Sequence, residues 1–254
     1  LTVLAAWFVI PVSPAVSAEA SRRPPGIASA LMAGFIKPSP YVPFASIGGS
    51  VIYSFITIIL IYYYFEKTHS PEIIFVAFFV LSFSMEAMRA AVPLGRVFTL
   101  PGLYLLTASR FLLFGRYFGI ISLFAASVYA AGLEVQKQRN TIFIIIVSTL
   151  VIALGVPIDV LSWDSSFSMI SGYAAMFRMT ESGIFLITIV SFLISAYSRG
   201  SKEFIFIGIG SFLAFLGRMI FLNADTWPGM AGLAILSAGT WIICDRLHRV
   251  YLWL

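Results

Sequence analysis

The sequence predicts an all-α, polytopic transmembrane bundle of seven spans, with the N-terminus outside and the C-terminus inside. Three observations carry that reading. Apolar stretches of about 18–22 residues recur from residue 47 onward, long enough to cross the roughly 30 Å hydrocarbon core as helices. Only 11% of residues are charged and 60% are hydrophobic, where a soluble domain carries roughly 25% charged residues. Short polar breaks, EKTHSPE (66–72), EVQKQRN (134–140), SRGSKE (198–203) and NADTWPG (223–229), punctuate the apolar stretches.

Taken in order, residues 1–18 (LTVLAAWFVIPVSPAVSA) are apolar and end in small residues. They read as a signal peptide, with Val16 and Ala18 suited to a cleavage site, or as an N-terminal anchor. Residues 19–46 form a Pro-rich extracytoplasmic segment with Pro24, Pro25, Pro38, Pro40 and Pro43. Proline removes a donor and clashes with the preceding helical turn, so extended or turn backbone is expected there. The seven-helix membrane domain covers 47–254. Its spans are expected at 47–65, 72–92, 111–132, 141–158, 180–198, 203–222 and 229–244, with longer connections at 93–110 and 159–179. Pro157 is expected to kink or end the fourth span.

Orientation follows from basic residues flanking the spans. Lys67, Lys137, Arg139, Arg199, Lys202, Arg246 and Arg249 fall on one side when the spans alternate, and that side is assigned to the cytoplasm. Tyr62, Tyr63, Tyr64, Trp163, Trp227, Trp241, Tyr251 and Trp253 sit near predicted span ends, where amphipathic rings prefer the headgroup level. The excess of basic residues therefore orients the bundle, and no nucleic-acid partner is expected. Small residues mark close-packed faces: Gly115 and Gly119 in FGRYFGI, Gly208, Gly210 and Gly217 in the sixth span, Gly229, Gly232 and Gly239 in the seventh.

Ionisable groups inside spans are costly and mark function or interhelical pairing. Glu86 and Arg89, Arg116, Glu181 and Arg218 all fall within about 10 Å of the outer surface at 1.5 Å per residue. The inner halves of the spans hold almost no charge. Two readings of this layer stand. The residues pair with one another and lock the bundle, or they form a ligand-binding pocket for a small anionic or zwitterionic solute or a lipid headgroup. Asp159, Asp164 and Asp225 lie in outer connections as solvated carboxylates or at the pocket mouth.

The inventory excludes several chemistries. No mid-membrane lysine is available for a retinal Schiff base. The two histidines, His69 and His248, fall beside predicted cytoplasmic ends, which leaves no bis-histidine haem or di-metal site. The single cysteine, Cys244, excludes an intrachain disulfide and a multi-thiolate site. P-loop and H-E-x-x-H motifs are missing. No catalytic residue, cofactor or metal is expected, and the balance leans away from an enzyme.

A first span ending in YYYFEKTHSPE (62–72) and a final span leading into RLHRVYLWL (246–254) give the chain its one resemblance. Over residues 47–254 it resembles the seven-helix membrane sensor regions of bacterial receptors with diverse intracellular signalling modules. That resemblance implies a multi-pass protein of the bacterial cytoplasmic membrane, sensor-like or an accessory subunit, with signalling as its output. Membrane lipids, a small-molecule ligand and a cytoplasmic protein docking on Arg246, His248 and Arg249 are the expected partners. A transporter or permease subunit using the same charge layer, and a structural scaffold subunit, are the alternatives.

Overall fold

A computed structural model describes residue 39, residues 41–65 and residues 70–252. Among these, seven helices are long and apolar enough to cross a membrane: Tyr41–Phe65, Pro71–Gly95, Gly102–Ala130, Val135–Gly155, Ala175–Arg199, Glu203–Leu222 and Trp227–Tyr251. We number them spans one to seven. The expected signal or anchor segment at 1–18, and all but the last residues of the expected Pro-rich segment, lie outside the described residues.

The span count agrees with the hydropathy reading, while several helix ends differ for identifiable reasons. Span one starts at Tyr41 and takes in Pro43. A proline in the first turn costs no hydrogen bond, because the opening N–H groups of a helix have no partner in any case. Span three starts at Gly102, directly after Pro101, so GLYLLTASR is helical and not part of a long connection. Span seven runs through the C-terminal charge cluster, placing Asp245, Arg246, His248 and Arg249 on the same helix as Trp241. Span four ends at Gly155, and Val156 is already extended (φ −73°, ψ 125°), as the residue before a proline prefers.

Span three is the hub. It packs against spans two, four and five, and spans six and seven form the closest pair. Small residues explain both contacts. Gly115 lies under Met85, and Gly119 faces Ser82 and Phe79 of span two. A Cβ added at Gly239 would meet the Gly210 carbonyl oxygen at 2.7 Å and the Ala214 Cα at 2.8 Å. Backbone cannot yield there as a side chain would. We therefore expect Gly239→Val to lower stability by about 2 kcal/mol or more. Gly183, which faces open space, should gain about 0.5–1 kcal/mol as Gly183→Ala because alanine restricts the unfolded chain. Thermal unfolding in detergent checks both signs.

Two departures from uniform helix shape one end of the bundle. The middle of span two, Phe83–Ala90, is 3-10 helix between α-helical segments Pro71–Ser82 and Ala91–Val97. The expected 159–179 connection contains an antiparallel hairpin of β1 (Ile158–Trp163) and β2 (Met169–Ser171). Its turn is closed by the Asp164 N–H donating to the Ser168 carbonyl (2.9 Å) and the Phe167 N–H donating to the Asp164 carbonyl (3.1 Å). We call the membrane face carrying this hairpin the hairpin end, and the opposite face the basic end.

Candidate functional site

The 3-10 segment of span two builds the site. Its period of three eclipses residues i and i+3, so Phe83, Glu86 and Arg89 form one buried stripe. On an α-helix each of these steps would drift by about 60°, and the stripe would fan out. Glu86 and Arg89 face each other along this stripe, Arg89 Nη1 to Glu86 Oε2 at 3.5 Å. Their exposures are 2% and 1%.

Span three supplies the second cation. Arg116 grips Glu86 in a fork, Nε to Oε1 at 2.8 Å and Nη2 to Oε2 at 3.0 Å. A bidentate guanidinium–carboxylate pair is among the stronger polar contacts a protein makes and fixes orientation as well as charge. Nη2 of Arg116 also donates to Ser168 Oγ at 3.2 Å. Arg218 of span six donates from Nη2 to the Arg116 main-chain carbonyl at 3.2 Å, and its Nη1 lies 3.7 Å from Glu181 Oε2 of span five. Four spans are thus cross-linked through one connected set. All five residues singled out from the sequence belong to it.

The hairpin completes the set. Arg89 donates from both Nε (2.8 Å) and Nη2 to the Ser166 main-chain carbonyl, and its Nη1 reaches Ser46 Oγ of span one at 3.4 Å. Ser46 Oγ in turn donates to the Phe221 carbonyl of span six at 3.2 Å. Asp164 shapes the tip: its Oδ1 accepts from Ser166 N–H (2.9 Å), Ser166 Oγ (2.6 Å) and Ser168 N–H (3.1 Å). This carboxylate is a structural part of the turn and not a freely solvated loop group. Phe167, at the apex, adopts a left-handed φ of 60°. Its ring is fully buried and meets Phe44 edge-on at 4.9 Å. Ile47 and Val92 complete that apolar seat.

No family model matches the chain, and no curated protein does. Geometry alone therefore speaks for the site. With Asp164 included, the set holds three carboxylates (Glu86, Asp164, Glu181) and three guanidiniums (Arg89, Arg116, Arg218), and formal charge balances.

Sequence reasoning missed Ser46, Ser166 and Ser168, and placed Asp164 only at the margin. A signal for the hairpin tip exists in SWDSSFS (162–168), where an aspartate precedes serines that its side chain can cap. Nothing in span one marks Ser46, because its role depends on which helix faces it.

Proposed function

We propose that the protein is a multi-pass membrane binding protein acting as an accessory or sensor-like subunit, in which the outer charge layer is a lock. One observation carries this reading: the buried heads of Glu86, Arg89 and Arg218 are met by protein partners, and the layer balances its own charge. A solute site needs charged groups that keep accessible surface for the ligand, whereas a lock needs buried ones met within the protein. A cavity of about 520 Å³ lies elsewhere, between spans one and seven, and touches none of the layer's charged residues. A permease reading has less support, since the charged heads gather at one end of the bundle. The basic residues of the other end favour a cytoplasmic placement there by the positive-inside rule. That agrees with the bacterial inner-membrane setting implied by the likeness to seven-helix sensor regions.

A second reading keeps the layer as a ligand pocket, and one observation favours it. Arg116 and Glu181 retain 23% and 21% side-chain exposure, enough for a small zwitterion to touch both. Native mass spectrometry and thermal unfolding of wild type, Arg116→Ala and Arg218→Ala separate the two. The lock predicts lower midpoints in both variants and any adduct of the wild type retained. A small-molecule adduct lost from variants that stay folded would overturn the lock in favour of the pocket.

A further inference from the structure

The seam between spans one and seven is much looser than that between spans six and seven, and it opens into a groove of about 520 Å³. It runs from Gly49 to Phe65 on span one and from Leu233 to His248 on span seven. Sixteen residues of helix amount to about 24 Å, more than the roughly 15 Å that one leaflet contributes to the hydrocarbon core. The walls are mainly apolar, aliphatic at Ile52, Ile56 and Leu60 and aromatic at Tyr64, Phe65 and Trp241. Tyr53 and Thr240 line the groove and join its two helices, the Tyr53 hydroxyl donating to Thr240 Oγ1 at 2.9 Å. The bilayer core holds no water to fill such a slot, so hydrocarbon is its natural content.

The two ends of the groove differ in chemistry. Near the hairpin end Gly49 sits against Phe221 and Leu233, and the helices approach closely. At the basic end the lining turns aromatic and polar: the Tyr64 ring meets Trp241 and His248, each at 6.5 Å, and Asp245 borders the opening. Asp245 Oδ2 lies 3.2 Å from Arg249 Nε and 3.4 Å from Arg246 Nε, while Arg246 Nη1 pairs with Glu203 at 3.1 Å. Among the described residues Asp245 is the one carboxylate lining the groove. Arg249 lies one turn further along the helix, while Arg246 and Glu203 pair on the side facing span six, where the Arg246 guanidinium sits 4.4 Å over the Phe206 ring. Arg249 and Asp245 both keep exposed surface, 52% and 34% of their side chains.

From this geometry we infer that the groove between spans one and seven binds one hydrocarbon tail of a zwitterionic, amine-bearing phospholipid, its headgroup set against Asp245 and Arg249. The long apolar slot takes an extended tail. The ammonium meets Asp245, and the phosphate meets Arg249 and the His248 ring. An acidic headgroup brings a phosphate without the ammonium, so it sets a second negative charge against the Asp245 carboxylate that lines the opening. The site is separate from the charge layer and stands whether that layer is a lock or a pocket.

The test is native mass spectrometry of the full chain. The protein is extracted into a neutral detergent and given equal amounts of phosphatidylethanolamine and phosphatidylglycerol with the same acyl chains. Wild type is expected to retain one phospholipid per chain, favouring phosphatidylethanolamine by about tenfold. Ser237→Phe, a groove-wall change at an exposed position, is expected to cut retention at least about tenfold. Thr57→Phe fills the slot from the other wall and serves if the first variant does not fold. Ile146→Phe, on the exposed surface of span four, should retain lipid like wild type. Asp245→Asn should keep the lipid but lose the headgroup preference. Retention undiminished in both folded groove-filling variants overturns the proposal. So does the lack of any phospholipid adduct in wild type, or a preference for phosphatidylglycerol. Alkylation of Cys244, the chain's single cysteine and part of the groove wall, gives a second readout. It should slow about tenfold when phosphatidylethanolamine is returned to delipidated protein, and an unchanged rate counts against occupancy.

Discussion

Glu86→Ala is expected to destabilise the protein by about 3–5 kcal/mol, the range for removing one partner of a buried ion pair. Glu86 is the shared anion of two guanidiniums, and its loss strands both. They do not suffer equally. Arg116 retains 23% exposure and has a long apolar stem, so it can carry its charge toward the interface. Arg89 is 1% exposed and is pinned under the hairpin, with no route to water. The cost should therefore come mainly from Arg89. Thermal or denaturant unfolding in detergent can show this directly: Glu86→Ala with Arg89→Met should recover more stability than Glu86→Ala with Arg116→Met. A Glu86→Ala midpoint indistinguishable from wild type, or the opposite order of rescue, would remove the basis for the lock.

Phe167→Ala is the second large effect, expected at about 3 kcal/mol, within the range for emptying a buried aromatic site. The ring is the hairpin's apolar anchor, seated against Phe44, Ile47 and Val92. Without it, the tip keeps the Arg89 bonds to the Ser166 carbonyl and the Asp164 cap, but it loses the packing that excludes lipid and water above Arg89. Hydrogen exchange should report this as faster exchange of the Asp164 and Phe167 amides, whose bonds close the turn, with the spans little changed. Ser166→Ala is the contrasting variant. Arg89 bonds the main-chain carbonyl at this position, so only the Ser166 hydroxyl's bonds to Asp164 and, more weakly, to Ser168 Oγ are lost. A cost of about 1 kcal/mol is expected. Equal effects for the two substitutions would show that polar capping, and not the buried ring, holds the hairpin.

Some features of this protein belong to a single chain segment, and others arise only where several segments meet. Seven spans were legible because each must supply a long apolar run to cross hydrocarbon, a property of a single stretch of sequence. Glu86, Arg89, Arg116, Glu181 and Arg218 were legible as a layer for a similar reason. Charges within spans are few here, and a rise of 1.5 Å per residue sets their spacing along each helix. Span three, however, begins at Gly102 and not at residue 111, so Arg116 lies about 21 Å along it and deeper than expected. The glycine faces of spans three, six and seven were legible as packing surfaces because a missing Cβ announces close approach.

Their azimuth was not legible. Spacing along a helix follows from sequence position, but the direction a residue faces depends on helix type and on its neighbours. The 3-10 turn at Phe83–Ala90 aligns Glu86 with Arg89, and no local signal in FSMEAMRA specifies that departure from α-helix. The hairpin tip is a similar case. Asp164 caps its own turn, a local event, yet the Ser166 carbonyl becomes an acceptor for Arg89 only after spans one and two create a seat for Phe167. The groove between spans one and seven exists because that seam packs less closely than the glycine-lined seam between spans six and seven. By itself, then, the sequence determined the number of spans and which charges lie within them, because lipid imposes length and polarity on each segment alone. The tertiary structure decided which charges meet, what covers them and where the bundle stays open, because those depend on side chains brought together from distant segments.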